Sequence, residues 1–119
     1  MDAQIFSQEF WYSLRSRTSV RGIGSNQCYD WCYETIDLLL KDDRKGQFVM
    51  KDSLRSFEFA RKGLWWCHGW IETETLKGRF IADGTAGQID KKYADGFYGL
   101  LDQAPPELRA VYDNGILTC

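Results

Sequence analysis

Leu64-Trp65-Trp66-Cys67-His68-Gly69-Trp70-Ile71-Glu72-Thr73, followed closely by Arg79-Phe80-Ile81-Ala82-Asp83, reads as two strands joined by a turn around Lys77-Gly78. Side chains alternate across a strand. Trp66, His68, Trp70 and Glu72 are therefore expected on one face of the first strand, and Trp65, Cys67, Gly69 and Ile71 on the other. Cys67 and His68 cannot then both face one site. With Glu74 to Gly78 as the hairpin connection, antiparallel pairing brings the neighbourhood of Asp83 opposite that of His68, the only histidine of the chain.

Upstream of this hairpin the pattern turns helical. Ile5, Phe6, Phe10, Trp11 and Leu14 recur at helical spacing, so residues 2 to 15 are expected to form an amphipathic helix. Ser19 to Gln27 is a loop of glycines and small polar residues. From Cys28 to Leu40 the apolar positions Cys28, Trp31, Cys32, Ile36, Leu39 and Leu40 share one helical face, and Asp30 lies in the first turn, where the helix dipole favours negative charge. Lys41 to Gly46 closes that helix as a solvated loop. Gln47 to Met50 is read as a short strand, and Asp52 or Ser53 as the cap of a helix stopped by Gly63. Pro105-Pro106 introduces a last short helix over roughly Glu107 to Tyr112. The expected class is α+β, with N-terminal helices packed on a small antiparallel sheet in one domain spanning residues 1–119.

Composition narrows the functions. The 119 residues are 44% hydrophobic and 15% aromatic, enough for one core without a metal or disulfide. A formal charge of −2, from 15 Lys+Arg and 17 Asp+Glu, supplies no phosphate-neutralising surface, so nucleic acid is not an expected partner. No leader and no apolar run long enough to cross a bilayer is read, and a cytoplasmic protein with no membrane partner is expected. The four cysteines, Cys28, Cys32, Cys67 and Cys119, are expected as reduced thiols. Cys119 does not match a prenylation box, which places its cysteine three residues earlier.

The residue types then suggest a chemistry. A cysteine at a helix N-terminus meets positive partial charge that favours its thiolate. An imidazole that takes the thiol proton makes the sulfur a nucleophile, and a carboxylate on the second ring nitrogen fixes the tautomer. Cys28, His68 and Asp83 supply these three parts. The backbone N–H of Cys28, with Gln27 or Asn26 as second donor, would hold an oxyanion, and Trp66 and Trp70 would flank the imidazole and line a substrate groove. Asp90 is a reserve for the third member and Gln88 a supporting donor.

Gly22 to Trp31 with Cys28 opening a helix, His68-Gly69-Trp70-Ile71-Glu72, and Phe80-Ile81-Ala82-Asp83-Gly84-Thr85 together resemble the papain-like cysteine enzymes, especially their transglutaminase-like branch and its toxin and effector relatives. That branch commonly shows a His-x-Trp-x-Glu strand and an Asp-x-Thr at the end of the next. The likeness spans roughly residues 22 to 90. It implies a helix packed on an antiparallel sheet, with Cys28 as nucleophile, His68 as base and Asp83 as orienter, acting on a protein or peptide amide without a cofactor. Hydrolysis by a protease or deamidase is favoured over amine transfer because water needs no second binding site. Such a core suits an intracellular toxin, a delivered effector or a phage-encoded enzyme. Two departures stand out: Gly84 occupies the place of a frequent proline, and no upstream glutamine lies at papain's spacing.

The same residues admit plainer readings. A cysteine on an apolar helix face is commonly a small buried hydrophobe, and an Asp before Gly commonly opens a turn. Zinc on Cys28, Cys32, Cys67 and His68 is disfavoured because Cys28-x3-Cys32 has no matching second pair. A non-catalytic binding or inhibitor protein on a papain-like fold is the alternative of a different class, since fold alone does not fix function. The oligomeric state is not legible.

Overall fold

The computed structural model describes residues 3–19, 28–41, 48–53, 57–58, 65–66, 68–113 and 115–117. A 3-10 turn, Ala3–Phe6, precedes α1 (Gln8–Ser16), whose Trp11 and Leu14 are buried. The single helix expected over 2 to 15 is thus divided at Ser7, whose backbone is extended. The division lets the buried Trp11 indole N–H donate to the Ile5 carbonyl at 2.7 Å. Without that partner the indole would carry an unsatisfied donor into the core.

α2 (Cys28–Lys41) begins at the expected residue. Trp31, Cys32, Thr35 and Leu39 form its buried face, while Asp30 in the first turn and Lys41 in the last complement the dipole. The other elements are β1 (Val49–Ser53), β2 (Phe57–Glu58), β3 (Trp65–Trp66), β4 (Gly69–Thr75), β5 (Gly78–Asp83), β6 (Phe97–Leu100), α3 (Pro106–Tyr112) and β7 (Gly115–Leu117). Among the described residues, five strands form an antiparallel sheet ordered β6-β5-β4-β1-β7, and β2 pairs with β3 apart from it.

Two expectations are corrected here. Asp52 and Ser53 do not cap a helix: both lie in β1, and Phe57–Glu58, inside the expected helix, is a strand. The run from Leu64 to Thr73 is not one strand, because Trp65 and Trp66 pair with Glu58 and Phe57 while the main sheet resumes at Gly69. The N-terminal helices do pack on the sheet, on one of its faces, and α3 packs on the other. Ile5, Trp11, Leu14, Trp31, Cys32 and Leu39 pack with Ile71, Phe80 and Ala82 on one face. Leu108, Val111 and Tyr112 of α3 pack with Trp70 and Ile81 on the other. Burial of both faces matches the adjacent apolar pairs Trp70-Ile71 in β4 and Phe80-Ile81 in β5, whose side chains alternate between the two.

The β4–β5 hairpin forms, with a tighter connection than the expected Glu74 to Gly78, because Glu74, Thr75 and Gly78 are paired within the strands. Thr75 pairs with Gly78 across a two-residue turn at Leu76-Lys77, and Gly78 takes φ +119°, a region open to a residue without Cβ. In this antiparallel register Ser53, the entry to β4 and the end of β5 meet at one end of the sheet. No helix among the described residues is long and apolar enough to cross a membrane.

Candidate active site

His68 lies immediately before β4, and β1 pins its main chain. Its N–H donates to Ser53 Oγ at 2.9 Å, and its carbonyl accepts the Ser53 N–H at 3.0 Å. With the backbone fixed, the ring is held on both nitrogens: Nε2 is 2.7 Å from Asp83 Oδ2, and Nδ1 is 3.2 Å from Gln88 Oε1. The Cys28 side chain, at the first residue of α2, hydrogen-bonds the same imidazole. Cys28 is 2% exposed, His68 and Asp83 0%. The structure therefore brings Cys28, His68 and Asp83 together in a water-excluded place.

Asp83 ends β5 with both oxygens engaged. Oδ2 accepts from the Tyr112 hydroxyl at 2.7 Å as well as from His68, and Oδ1 accepts the Thr85 N–H at 3.1 Å and the Thr85 hydroxyl at 3.4 Å. Donors on every side fix the orientation of this buried carboxylate and face its charge.

That charge governs the imidazole. Burial works against a protonated ring, but the Asp83 charge and hydrogen bond, and the hydrogen bond to Cys28, outweigh it and push His68 up to about 10 from an ordinary 6.5. A group raised on folding stabilises the native state fully below its unfolded value and loses that contribution as pH rises through its folded value. The window here runs from 6.5 to about 10. Nitrogen-15 spectra of the single histidine are expected to show both ring nitrogens protonated from pH 6 to 9, with thermal stability falling across the upper part of that range. An imidazole titrating near its ordinary value would contradict this geometry.

Cys32, one turn along α2, is a different thiol. Burial pushes it well above its ordinary value, and the neighbouring Asp83 carboxylate pushes it further. It stays protonated at neutral pH and is no nucleophile.

The His-x-Trp-x-Glu segment works as a mechanical unit. The Trp70 ring stacks beside His68 with centroids 6.3 Å apart and planes at 23°. Its N–H donates to Glu72 Oε1 at 3.0 Å, so that donor is not free for an oxyanion. Glu72 also receives the Arg79 fork, Nε to Oε2 at 2.7 Å and Nη2 to Oε1 at 2.6 Å, and Lys51 Nζ at 3.1 Å. Burial opposes the Glu72 charge, yet the hydrogen bonds from Arg79, Trp70 and Lys51 hold its carboxyl below the ordinary range. Glu72 therefore stabilises the fold above the ordinary carboxyl value and loses that effect as pH falls through its lower folded value.

Gly84 sets the distance between the two halves of the site. A Cβ built there would lie 2.2 Å from the Trp31 indole, and Trp31 stands on the first turn of the helix that Cys28 opens. Gly84 directly follows Asp83, and its carbonyl accepts Arg15 Nε at 2.9 Å. The absent side chain lets α2 approach the Asp83 turn, which also explains why no proline stands here. Gly84→Ala is expected to cost about 1–3 kcal/mol by overpacking. A thermal melt should show a midpoint lower by roughly 5–15 °C, and an unchanged midpoint would deny the contact its role.

Asn26, Gln27, Cys67 and the Trp66 side chain lie outside the described residues. Asp90 is not a reserve triad member: its side chain accepts the Lys92 N–H at 3.0 Å and caps a 3-10 turn, Lys91–Tyr93. Gln88, named only as a supporting donor, reaches the imidazole directly. Ser53 and Tyr112 were missed. The available signal for Tyr112 was a tyrosine on the apolar face of a short helix, where a buried hydroxyl requires a partner. Among the described residues no group of three His, Cys, Asp or Glu side chains could hold a metal ion. Compared with models of known protein families, with curated proteins and with solved structures, the chain matched none.

Proposed function

We propose that this protein is a thiol-dependent acyl-transfer enzyme on a papain-like, transglutaminase-like core, a cysteine protease or deamidase acting on a protein or peptide amide. One observation carries the reading: a fully buried His68 is held by Asp83 at 2.7 Å and hydrogen-bonded to a cysteine that opens a helix. An ordinary structural histidine needs no thiol partner. In the proposed reaction the Cys28 proton resides on His68, and the Cys28 sulfur attacks the amide carbonyl. The oxyanion is met by the Cys28 backbone N–H at the start of α2 and by Gln27 or Asn26. His68 gives its proton to the departing amine, the C–N bond breaks, and a thioester remains. Water then attacks the thioester and gives a proton to His68, the C–S bond breaks to release the acid, and the starting pair of Cys28 thiolate and protonated His68 is restored.

The experiment uses peptides containing glutamine and lysine, incubated with the protein and read by mass spectrometry. Backbone cleavage, conversion of a side-chain amide to an acid, or an isopeptide link each identifies the acyl acceptor and the bond attacked. The reading predicts one of these products, dependent on Cys28; their absence from a broad peptide set counts against it. The 2% exposure of Cys28 favours one other reading, a binding or inhibitor protein that keeps the site closed. That protein would form no thioester with any peptide.

A further inference from the structure

Two donors converge on one oxygen of Asp83. Nε2 of His68 and the hydroxyl of Tyr112 each lie 2.7 Å from Oδ2, and all three side chains are completely buried. Tyr112 comes from α3, 29 residues from Asp83, and is itself anchored. Its carbonyl accepts Arg79 Nη2 at 3.3 Å, while its ring lies 5.0 Å from that of Trp70 and 6.1 Å from that of Phe97. Arg79 therefore joins two supports of the imidazole: through Glu72 it holds Trp70, and through its bond to the tyrosine carbonyl it holds the α3 terminus.

A carboxylate oxygen that already accepts a phenolic proton is a weaker base toward a second donor. We propose that Tyr112 is a positioning residue of this site: its hydroxyl tempers the hold of Asp83 on the His68 proton and so sets how readily the ring releases it. This rests on the Cys28–His68–Asp83 reading and adds to it a control that lies outside the triad. Burial, then the Asp83 charge and hydrogen bond, hold the Tyr112 phenol well above its ordinary 10, so it stays a donor throughout the working range. The other charged or titratable groups around the pair are Cys28 and Cys32 on α2, Asp52 on β1, Tyr98 on β6, and Tyr93. None of these is hydrogen-bonded to Asp83 among the described contacts, which makes Tyr112 the group whose removal isolates the effect.

The test is Tyr112→Phe in the full chain, which removes the hydroxyl and keeps the ring against Trp70. The readout is the nitrogen-15 titration of His68 and the proton resonance of its Nε2–H, both unambiguous because the chain has one histidine. A lost hydrogen bond to a charged group corresponds to a rise of about one pH unit in the His68 midpoint, with the Nε2–H resonance moving downfield at neutral pH. Replacing Tyr112 by 3-fluorotyrosine keeps the hydroxyl and makes it a stronger donor, so both signals should move the opposite way. This second variant carries the test alone should the phenylalanine variant not fold. Unchanged His68 signals in the folded variants overturn the proposal, even with lowered stability, because packing alone would then be the role of Tyr112. The readout is taken on the resting protein, so failure of Cys28 to form a thioester would strike the acyl-transfer reading and leave this result standing.

Discussion

If the proposed acyl transfer is this protein's chemistry, Cys28→Ala is expected to abolish it and to leave the fold standing. In that proposal the Cys28 sulfur is the nucleophile beside the only imidazole, and Cys32 does not replace it because burial keeps that thiol protonated. Removing the nucleophile of a comparable acyl-transfer site lowers kcat by on the order of 10^6-fold, so amide turnover should fall to background. The side chain is small, and its loss from a helix start leaves the Trp31 and Leu39 packing of α2 intact. Intact-mass spectrometry after p-nitrophenyl acetate treatment should show a rapidly formed acetyl adduct at Cys28 in the natural protein and none there in the variant. A rapid adduct mapped to another residue would move the nucleophile elsewhere.

Asp83→Asn should be nearly as damaging for chemistry and more damaging for stability. Oδ2 receives the His68 and Tyr112 donors, and Oδ1 receives the Thr85 N–H and hydroxyl. An asparagine amide cannot satisfy this pattern. Its NH2 group faces either the two donors at Oδ2 or the Thr85 N–H at Oδ1. The imidazolium also loses the charge that overcomes its burial, so His68 should become neutral at pH 7 and its tautomer should change. Loss of the orienting carboxylate costs about 10^4-fold in turnover in the related serine arrangement. Breaking one side of a buried ion pair costs about 3–5 kcal/mol. Urea unfolding should register that loss, and the nitrogen-15 spectrum of His68 should revert to a neutral ring. Retained protonation at pH 8 in the variant would mean that another group supplies the counter-charge.

Much of this arrangement was legible in the residues because its signals are local. Cys28 opens α2 where polar loop residues give way to an apolar face, and the β4–β5 hairpin follows from its turn and its aromatic runs. Their order along the chain was enough to place His68 and Asp83 side by side. The failures have equally physical causes. Ser53 does accept a backbone N–H, as a helix cap would, but the N–H belongs to His68 across a strand pair. Local propensity could not distinguish these partners. Trp65 and Trp66 suit any strand, and only tertiary pairing assigns them to β2 instead of to the sheet that carries His68. The strand Phe97–Leu100 is short and edge-placed and carries no alternation to reveal it. Tyr112 reaches Asp83 only because α3 covers the second face of the sheet.

In His68-Gly69-Trp70-Ile71-Glu72 and Asp83-Gly84-Thr85 the alternate side chains are tied to one another. Trp70 stacks beside the imidazole, Glu72 holds Trp70, and Thr85 donates to the Asp83 carboxylate. Gly84 is where the Trp31 ring meets the backbone.

The most direct measurement is site-resolved alkylation by iodoacetamide near neutral pH, in the natural protein and in His68→Ala. Cys28 is expected to react faster than Cys32 and Cys67, and the loss of His68 should slow Cys28 by roughly 10- to 100-fold, because an unassisted cysteine is only a few per cent thiolate at pH 7. Uniformly slow labelling of these thiols, or a Cys28 rate indifferent to His68, would contradict a sulfur activated by its neighbouring imidazole.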